Sequence, residues 1–169
     1  MSTFIKRLQA EGSVLKEFNN WYAVIDLKQY YLGRMFLYAK REDASDMVEL
    51  NEDEVSELWK ILKFIKNVAY PNTWAPDIIN YAFLGNEVQH CHLHIVPRYK
   101  KEREIVINGV KFKDENYGHN YSNPNTKCSR KRDATTQNII TNTLKKEFMK
   151  YKDEKKMHGG NLLPIKFLL

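Results

Sequence analysis

The 169-residue chain lacks the features that mark secreted or membrane-spanning proteins. It has only two cysteines, Cys91 and Cys128, which form no CxxC pair and are too few for a disulfide framework. Its first residues, MSTFIKR, lack the apolar core of a signal peptide. No run approaches the roughly 18 apolar residues that a membrane span needs. We therefore expect a cytoplasmic protein with no membrane partner.

Neither the composition nor the charge is extreme. Hydrophobic residues make up 43% of the chain and charged residues 28%, as in an ordinary globular protein large enough for one domain with a core. The formal net charge of +6 would attract a polyanion such as a nucleotide or a nucleic acid. A surface tuned only for solubility has the same charge, so both interpretations stay open.

The order of predicted elements indicates an α+β fold. Hydrophobic periodicity and turn residues predict an amphipathic helix over 3–19, strands over 21–26 and 35–39, a helix over 51–70, strands over 78–84 and 91–96, a hairpin over 104–112, a loop over 113–132 and a helix over 133–151. Asn51 and Glu54 match a capping box, and Asn108-Gly109 matches a tight hairpin turn. We expect an antiparallel sheet of about five strands, with a central helix packed on it and helical N- and C-terminal extensions.

Three of the five histidines fall within the run HCHLH at residues 90–94. Alternate side chains of a strand share a face, so the three imidazoles should line one face while the residues between them enter the core. Three interpretations of this face compete. The blandest is a solvent-exposed strand that happens to be rich in histidine.

The two functional interpretations of the histidines differ in chemistry. In one, they bind a metal ion together with a further ligand from Glu87, His119 or Cys128. In the other, a neutral imidazole attacks phosphorus through Nε2 while an acceptor holds its Nδ1–H. Neighbouring histidines would then orient the nucleophile and assist the leaving group.

Residues 85–99, GNEVQHCHLHIVPRY, resemble the signature of the histidine triad (HIT) superfamily. Upstream, Asp26, Gly33 and Arg34 occur in family order with the strand and the helix that follow them, so the resemblance covers about residues 20–100. Asn80-Tyr81, Leu84-Gly85-Asn86 and Pro97-Arg98-Tyr99 are similar to a mostly bacterial, dinucleoside polyphosphate hydrolase-like branch with a C-terminal extension. This likeness implies a histidine triad domain over 1–112, followed over 113–169 by a loop, a helix and a flexible tail.

The resemblance implies a nucleotidyl hydrolase or transferase in which each histidine has a role. His92 would be the nucleophile that carries a covalent nucleotidyl group, His90 would fix and polarise it, and His94 would lie near the α-phosphate oxygens and the leaving group. The substrate would be a purine nucleoside polyphosphate or phosphoramidate. The covalent step would need no cofactor, although Mg²⁺ could accompany a polyphosphate, and a homodimer through the helix and the sheet edge is expected.

The resemblance also implies substrate-binding residues. Asp26 would contact the ribose hydroxyls, although an Asp at a strand end also caps turns. Gly85, Asn86 and Glu87 lie on the loop that would hold phosphate oxygens. Glu87 replaces the usual Ser or Thr, and a carboxylate there would repel a phosphate unless it points away or meets a cation.

Further candidates for substrate contact are Arg34, Asn80 and Arg98. Arg34 replaces a histidine often found after the glycine, and a guanidinium there could clamp a phosphate or offset Glu87. Arg98 could serve phosphate or the fold. The departures at Arg34 and Glu87 put substrate choice in doubt more than reaction type.

Two rival functions stay open on the sequence alone. Glu87 and the basic run KCSRKR at 127–132 suit a nucleotide- or RNA-binding module with little turnover, although short charged runs on loops are usually only solvated. The other rival is a metal-binding hydrolase that uses His90, His92 and His94. A polar cluster at 117–120 could cover the site.

Overall fold

The structure, a computed structural model, describes residues 3–85, 88–121 and 133–152. Its helices are α1 (Thr3–Ala10), α2 (Glu52–Phe64) and α3 (Ala134–Phe148), with a short 3₁₀ turn at Met47–Glu49 and a π-helical turn at Ile65–Ala69. Its strands are β1 (Val14–Glu17), β2 (Trp21–Ile25), β3 (Met35–Ala39), β4 (Ile78–Phe83), β5 (His92–Arg98), β6 (Ile105–Ile107) and β7 (Val110–Phe112).

Five strands form one antiparallel sheet in the order β1-β2-β3-β5-β4. Strands β6 and β7 form a separate hairpin. Its two-residue turn places Asn108 at φ 50° and Gly109 at φ 75°, the left-handed backbone that a primed hairpin turn requires. The predicted α+β fold and its five-stranded antiparallel sheet are confirmed.

The two faces of the sheet are covered by different helices. One face meets α2 and α3 in the main core, to which the sheet contributes Trp21, Ala23, Ile25, Met35, Leu37, Leu93 and Ile95. The other face meets α1 in a smaller cluster of Ile5, Leu8, Tyr22, Val24 and Tyr38, with Phe36 packed against it. Since α1 is only eight residues long, this second face is less extensively covered by helix.

Helix α2 begins where its capping residues predict. The Asn51 side chain accepts from the Glu54 backbone N–H at 3.0 Å, and the Glu54 carboxylate accepts from the Asn51 N–H at 2.8 Å. These two bonds satisfy orphan donors of the first turn. Leu58 and Ile61 then face the core, and the π-helical turn carries the chain to Ala69, close to the predicted end.

The predicted helix over 3–19 is wrong in its second half. Helix α1 ends at Ala10, and Gly12 follows at φ 70°, a left-handed conformation that ends helices. Residues 14–17 instead form β1, which pairs with β2. Leu15 and Phe18 fit a helical spacing in the sequence, but in the structure Leu15 lies on β1 and Phe18 directly follows it, and both pack into the main core.

Helix α3 belongs to the same core as the sheet. Asp133 caps its first turn by accepting from the Thr136 N–H at 2.8 Å. Ile140, Leu144 and Phe148 are then almost completely buried, on the face that the sequence predicts. In the part of the chain that the structure describes, no helix is long and apolar enough to cross a membrane.

Candidate active site

The histidine run lies at the less covered face of the sheet. His92 and His94 are on β5, opposite Tyr38 and Phe36 of β3. Alternation along the strand sends the intervening side chains into the main core, where Cys91, Leu93 and Ile95 are at most 2% exposed. A strand with one polar face and one apolar face is therefore held in a fixed register.

Two aromatic side chains of β3 pack against the imidazoles. Tyr38 stacks on His92 with ring centroids 5.0 Å apart, and Phe36 meets His94 edge to face at 4.8 Å. The rings of His92 and His94 are themselves 5.0 Å apart. This packing restricts the rotation of both imidazoles and removes water from one side of each.

The protonation of His92 follows from its partner. Its Nδ1 lies 2.7 Å from the carbonyl oxygen of His90. A carbonyl only accepts, so Nδ1 carries the hydrogen and the neutral ring has its lone pair on Nε2. Burial lowers the pKa of His92, the bond to the His90 carbonyl partly offsets this, and electrostatic repulsion by the His90 ring lowers the pKa further. At neutral pH the ring is therefore an uncharged imidazole with a free Nε2.

His90 precedes β5 and is held by the neighbouring strand. Its Nε2 donates to the carbonyl oxygen of Ala39 at 2.8 Å, and its ring lies against Tyr38. This contact fixes the His90 backbone, whose carbonyl orients His92. His90 thus acts on His92 through its main chain.

The histidines border two adjoining cavities. The larger, of about 430 Å³, is lined by Asp26, Arg34, His92 and His94 and by aromatic and apolar side chains. The smaller, of about 270 Å³, is lined by Gly85, His90 and His92 together with the turn after β3. His92 therefore stands between the two cavities, and the larger is roomy enough for a small-molecule ligand.

Asp26 and Arg34 flank the loop between β2 and β3 and form an ion pair in the larger cavity. Arg34 Nε lies 3.0 Å from Asp26 Oδ2, with side chains 17% and 12% exposed. The Arg34 Nε–H is not directed at a hydrogen-bond acceptor, so the contact is electrostatic and imperfectly aligned. Burial raises the pKa of Asp26, and the neighbouring Arg34 only partly offsets this.

Buried side chains brace the loop that carries this pair. Gln29, only 1% exposed, donates to the Arg34 carbonyl at 2.8 Å and accepts from the Gly33 N–H at 2.7 Å. Gly33 has φ 85°, and a Cβ there would come within 3.1 Å of the Trp74 ring. The position therefore needs glycine for both its backbone and its close packing.

The fold and this geometry can be compared with known proteins. Residues 7–101 match the family model of the HIT domain, which is more than half of the chain. The chain belongs to the HIT family. Members of this histidine triad family are in general nucleotide-binding hydrolases and transferases. Among curated protein sequences, none matches this HIT protein at a significant level.

Solved structures share the HIT fold. A histidine triad protein from Sinorhizobium meliloti has a TM-score of 0.64 at 15% identity, over 84% of this chain and 93% of that one. A hypothetical histidine triad nucleotide-binding protein from Sulfolobus tokodaii has a TM-score of 0.61 at 16% identity, over 88% and 92%. A histidine triad protein from Marinobacter aquaeolei has 0.61 at 18%, over 82% and 90%. At these identities the likeness shows the fold alone.

Two residues expected at the substrate lie elsewhere in this HIT protein. Arg98 is 1% exposed and makes five hydrogen bonds, to the Asp114 carboxylate, the Asn80 side chain and the carbonyls of Asn116 and His119. Asn80 and Arg98 are not among the described residues that line either cavity. The structure therefore places both in a buried network that holds the segment 114–119.

That network reaches the polar cluster at 117–120 through the His119 carbonyl, and the chain then continues to a cavity residue that the sequence interpretation missed. Tyr121 follows the held segment, and its carbonyl accepts from the Tyr31 hydroxyl at 3.1 Å. The Tyr121 ring lines the larger cavity, 5.9 Å from the Arg34 guanidinium. It lies beyond the residues that match the HIT domain, and no local motif marks it.

Of the remaining predicted site residues, one lies at the end of a described segment and the others lie outside the described residues. Gly85 has φ 58° and lines the smaller cavity, whereas Asn86, Glu87, Cys128 and the basic run 127–132 lie outside the described residues. Within the described ranges, no group of three His, Cys, Asp or Glu side chains is arranged to hold a metal ion.

Proposed function

We propose that this HIT protein cleaves a nucleoside polyphosphate or phosphoramidate at its α-phosphate through a covalent nucleotidyl group on His92. The observation that supports this most directly is the 2.7 Å contact from His92 Nδ1 to the His90 carbonyl. It leaves the lone pair on Nε2, and the lowered pKa of His92 keeps the ring neutral at physiological pH. A neutral, oriented imidazole beside a cavity is what nucleophilic attack on phosphorus requires.

The proposed reaction has two displacements. The Nε2 lone pair attacks the α-phosphorus, and the bond to the leaving group breaks with its electrons going to that group. The imidazolium that forms keeps its Nδ1–H on the His90 carbonyl, so the developing positive charge is stabilised by a fixed dipole. Water then attacks the phosphorus, loses a proton to solvent and returns the electron pair to Nε2. The product is a nucleoside monophosphate.

The lining of the larger cavity supports a nucleotide as the ligand. Lys28 and Arg34 supply positive charge for phosphate, and Asp26 supplies acceptors for ribose hydroxyls. Both Asp26 oxygens already have partners, Oδ2 near Arg34 and Oδ1 on the Lys28 N–H, but a carboxylate has about four lone-pair directions. Mg²⁺ would enter only with a polyphosphate substrate.

We also propose that two copies associate through α2 and the sheet edge. Strand β4 lies at an edge of the sheet, so one side of its backbone is free of partners within the described sheet. On α2, Trp59 is 61% exposed and Val55 47% exposed. An exposed strand edge and large apolar side chains are features that association would cover.

The covalent intermediate can be tested directly. Protein is mixed with diadenosine polyphosphate labelled at the α-phosphate, quenched within milliseconds and examined for label on the chain. We expect acid-labile label on the wild type and none on His92→Ala, whose turnover should fall by about 10⁴-fold or more because the nucleophile is gone. His119→Ala, which removes an exposed imidazole and leaves the His119 carbonyl, is the matched control. Label that persists in His92→Ala would contradict the proposal.

A further inference from the structure

Arg34 is fixed by four neighbours of three kinds: a carboxylate, an imidazole and two aromatic rings. Its Nε lies 3.0 Å from Asp26 Oδ2, and its Nη2 lies 3.4 Å from Nδ1 of His94. The guanidinium also lies near two aromatic rings, 5.4 Å from the Phe36 centroid and 5.9 Å from the Tyr121 centroid. The four contacts, two at its nitrogens and two with aromatic rings, restrict the planar group.

This placement determines the protonation of His94. A guanidinium has only donors and keeps its charge in proteins, so Nδ1 of His94 has to be the acceptor. The hydrogen of the neutral ring is then on Nε2. The groups that face the ring are His92 on its own strand, Arg34 before β3 and Tyr121, whose ring centroid is 6.5 Å away, with Asp26 paired to Arg34. Burial first, then the neighbouring His92 and then Arg34, together lower the pKa of His94 to about 4.

We propose, resting on the function proposed above, that Arg34 is a positioning residue that holds His94 as a neutral Nε2–H donor, so that the site selects phosphoric anhydrides over phosphoramidates. The juxtaposition that carries this proposal is the Asp26–Arg34–His94 chain along one wall of the larger cavity. A histidine at position 34 would lack a permanent charge and could accept as well as donate.

The selectivity follows from where the electrons go in each reaction. When a phosphoric anhydride is attacked, the P–O bond breaks and the leaving group departs as a phosphate anion, which needs a hydrogen bond but no proton. When a phosphoramidate is attacked, the P–N bond breaks and the nitrogen must gain a proton to leave as an amine. A neutral Nε2–H donor serves the first case, whereas the second needs an acid that neither Arg34 nor neutral His94 supplies.

The positioning role has a spectroscopic readout that does not depend on turnover. Full-length protein labelled with ¹⁵N in histidine gives two-bond correlations that distinguish the Nε2–H form, the Nδ1–H form and imidazolium, with His94→Gln assigning the signal. We expect wild-type His94 in the neutral Nε2–H form at pH 7. In Arg34→Met the His94 pKa should rise and the two tautomers should mix. In Arg34→Lys the pKa should stay nearer to that of the wild type because the positive charge remains.

Arg103→Met is the matched control, since Arg103 also pairs with an aspartate, Asp77, at 2.9 Å, and neither residue lines the larger cavity. It should leave the His94 signal unchanged. Wild-type His94 found as Nδ1–H or as imidazolium at pH 7 would overturn the positioning role. An unchanged His94 pKa and tautomer in Arg34→Met would do the same.

The selectivity is measured as the ratio of kcat/KM for diadenosine polyphosphate to that for adenosine 5′-phosphoramidate. We expect a wild-type ratio of about 100 or more, the lower end of a general acid's usual contribution. Arg34→His should reduce the ratio about tenfold or more by restoring an ionisable neighbour. A wild-type ratio near one would overturn the selectivity. Turnover of neither substrate would overturn the proposed function together with the selectivity, while the ¹⁵N spectra would still decide the positioning role.

Discussion

The protein has two arginine–aspartate pairs that differ in burial and hydrogen bonding, one inside the fold and one beside the candidate site. Arg98 and Asp114 are both about 2% exposed at their side chains, and the nearest atoms are 2.7 Å apart. The Arg98 guanidinium donates five hydrogen bonds, two of them to backbone carbonyls. Arg34 and Asp26 meet at 3.0 Å beside an open cavity, with an Nε–H that is not directed at an acceptor.

The two pairs differ in how many N–H donors of the arginine remain without an acceptor. Arg98 is saturated, so it can only hold the segment that it already binds. Arg34 touches His94 and the cavity, and its pair with Asp26 is incomplete. A guanidinium that keeps N–H donors without acceptors beside titratable groups can interact with a ligand. One whose donors are all hydrogen-bonded within the protein stabilises the fold.

We expect the largest difference between the two pairs when each arginine is replaced by methionine and the free energy of unfolding is measured. Arg98→Met leaves Asp114 buried without its cation, so the free energy of unfolding should fall by about 3–5 kcal/mol. Arg34→Met should lower it by about 1–2 kcal/mol, between the values for exposed and buried pairs. Urea denaturation at pH 7 measures both, with Arg103→Met, which breaks a more exposed pair, for reference. A larger loss for Arg34→Met than for Arg98→Met would reverse our assignment of the two pairs.

Acid should act on the Arg34 side of the molecule, where two histidines have lowered pKa values. Between the ordinary histidine pKa of about 6.5 and the His94 pKa of about 4, the unfolded chain binds protons that the folded chain does not. Stability should therefore fall as the pH falls through this window, by about 2 kcal/mol after allowance for partial solvation of the ring. The raised pKa of Asp26 opposes part of this loss.

The acid effect is isolated by comparing the wild type with His94→Gln in urea at pH 7 and pH 4.5. The variant should lose less stability than the wild type over this range, because one depressed histidine is gone. Equal losses would mean that His94 titrates normally in the folded protein.

The smallest expected effect concerns Tyr121, which joins the two regions. Its hydroxyl is buried without a hydrogen-bond partner among the described residues, so Tyr121→Phe should change the free energy of unfolding by less than about 1 kcal/mol. Tyr31→Phe, which removes the bond to the Tyr121 carbonyl, should cost about 1 kcal/mol. Thermal melts of both variants measure the difference. A loss above 2 kcal/mol in Tyr121→Phe would show that the hydroxyl has a structural partner.

The sequence predicts the elements whose signals are local. The capping pair Asn51 and Glu54 marks the start of α2, the pair Asn108-Gly109 marks the hairpin, and alternation across 90–95 separates polar from core-facing side chains. Each of these signals depends on neighbours within a few residues. The same holds for the apolar face of α3.

What the sequence does not predict depends on contacts with residues outside the segment in question. Strand β1 exists because β2 offers it an edge, and no residue within 14–17 distinguishes it from a helix. Arg98 and Arg34 look alike as phosphate ligands until Asp114, 16 residues after Arg98, is seen to saturate one of them. Tyr121 reaches the cavity only because that network holds the chain before it. In all three cases the deciding contact lies outside the local sequence pattern.

The buried thiol of Cys91 can report how often the histidine strand opens. Cys91 sits between two of the histidines but faces the core, 1% exposed, and burial raises its pKa to about 11. Alkylation requires the thiolate, so a reagent such as iodoacetamide can modify this sulfur only when the strand detaches from the sheet. The labelling half-life, read by peptide mapping to separate it from Cys128, therefore reports how often the histidine strand opens, without altering a single imidazole.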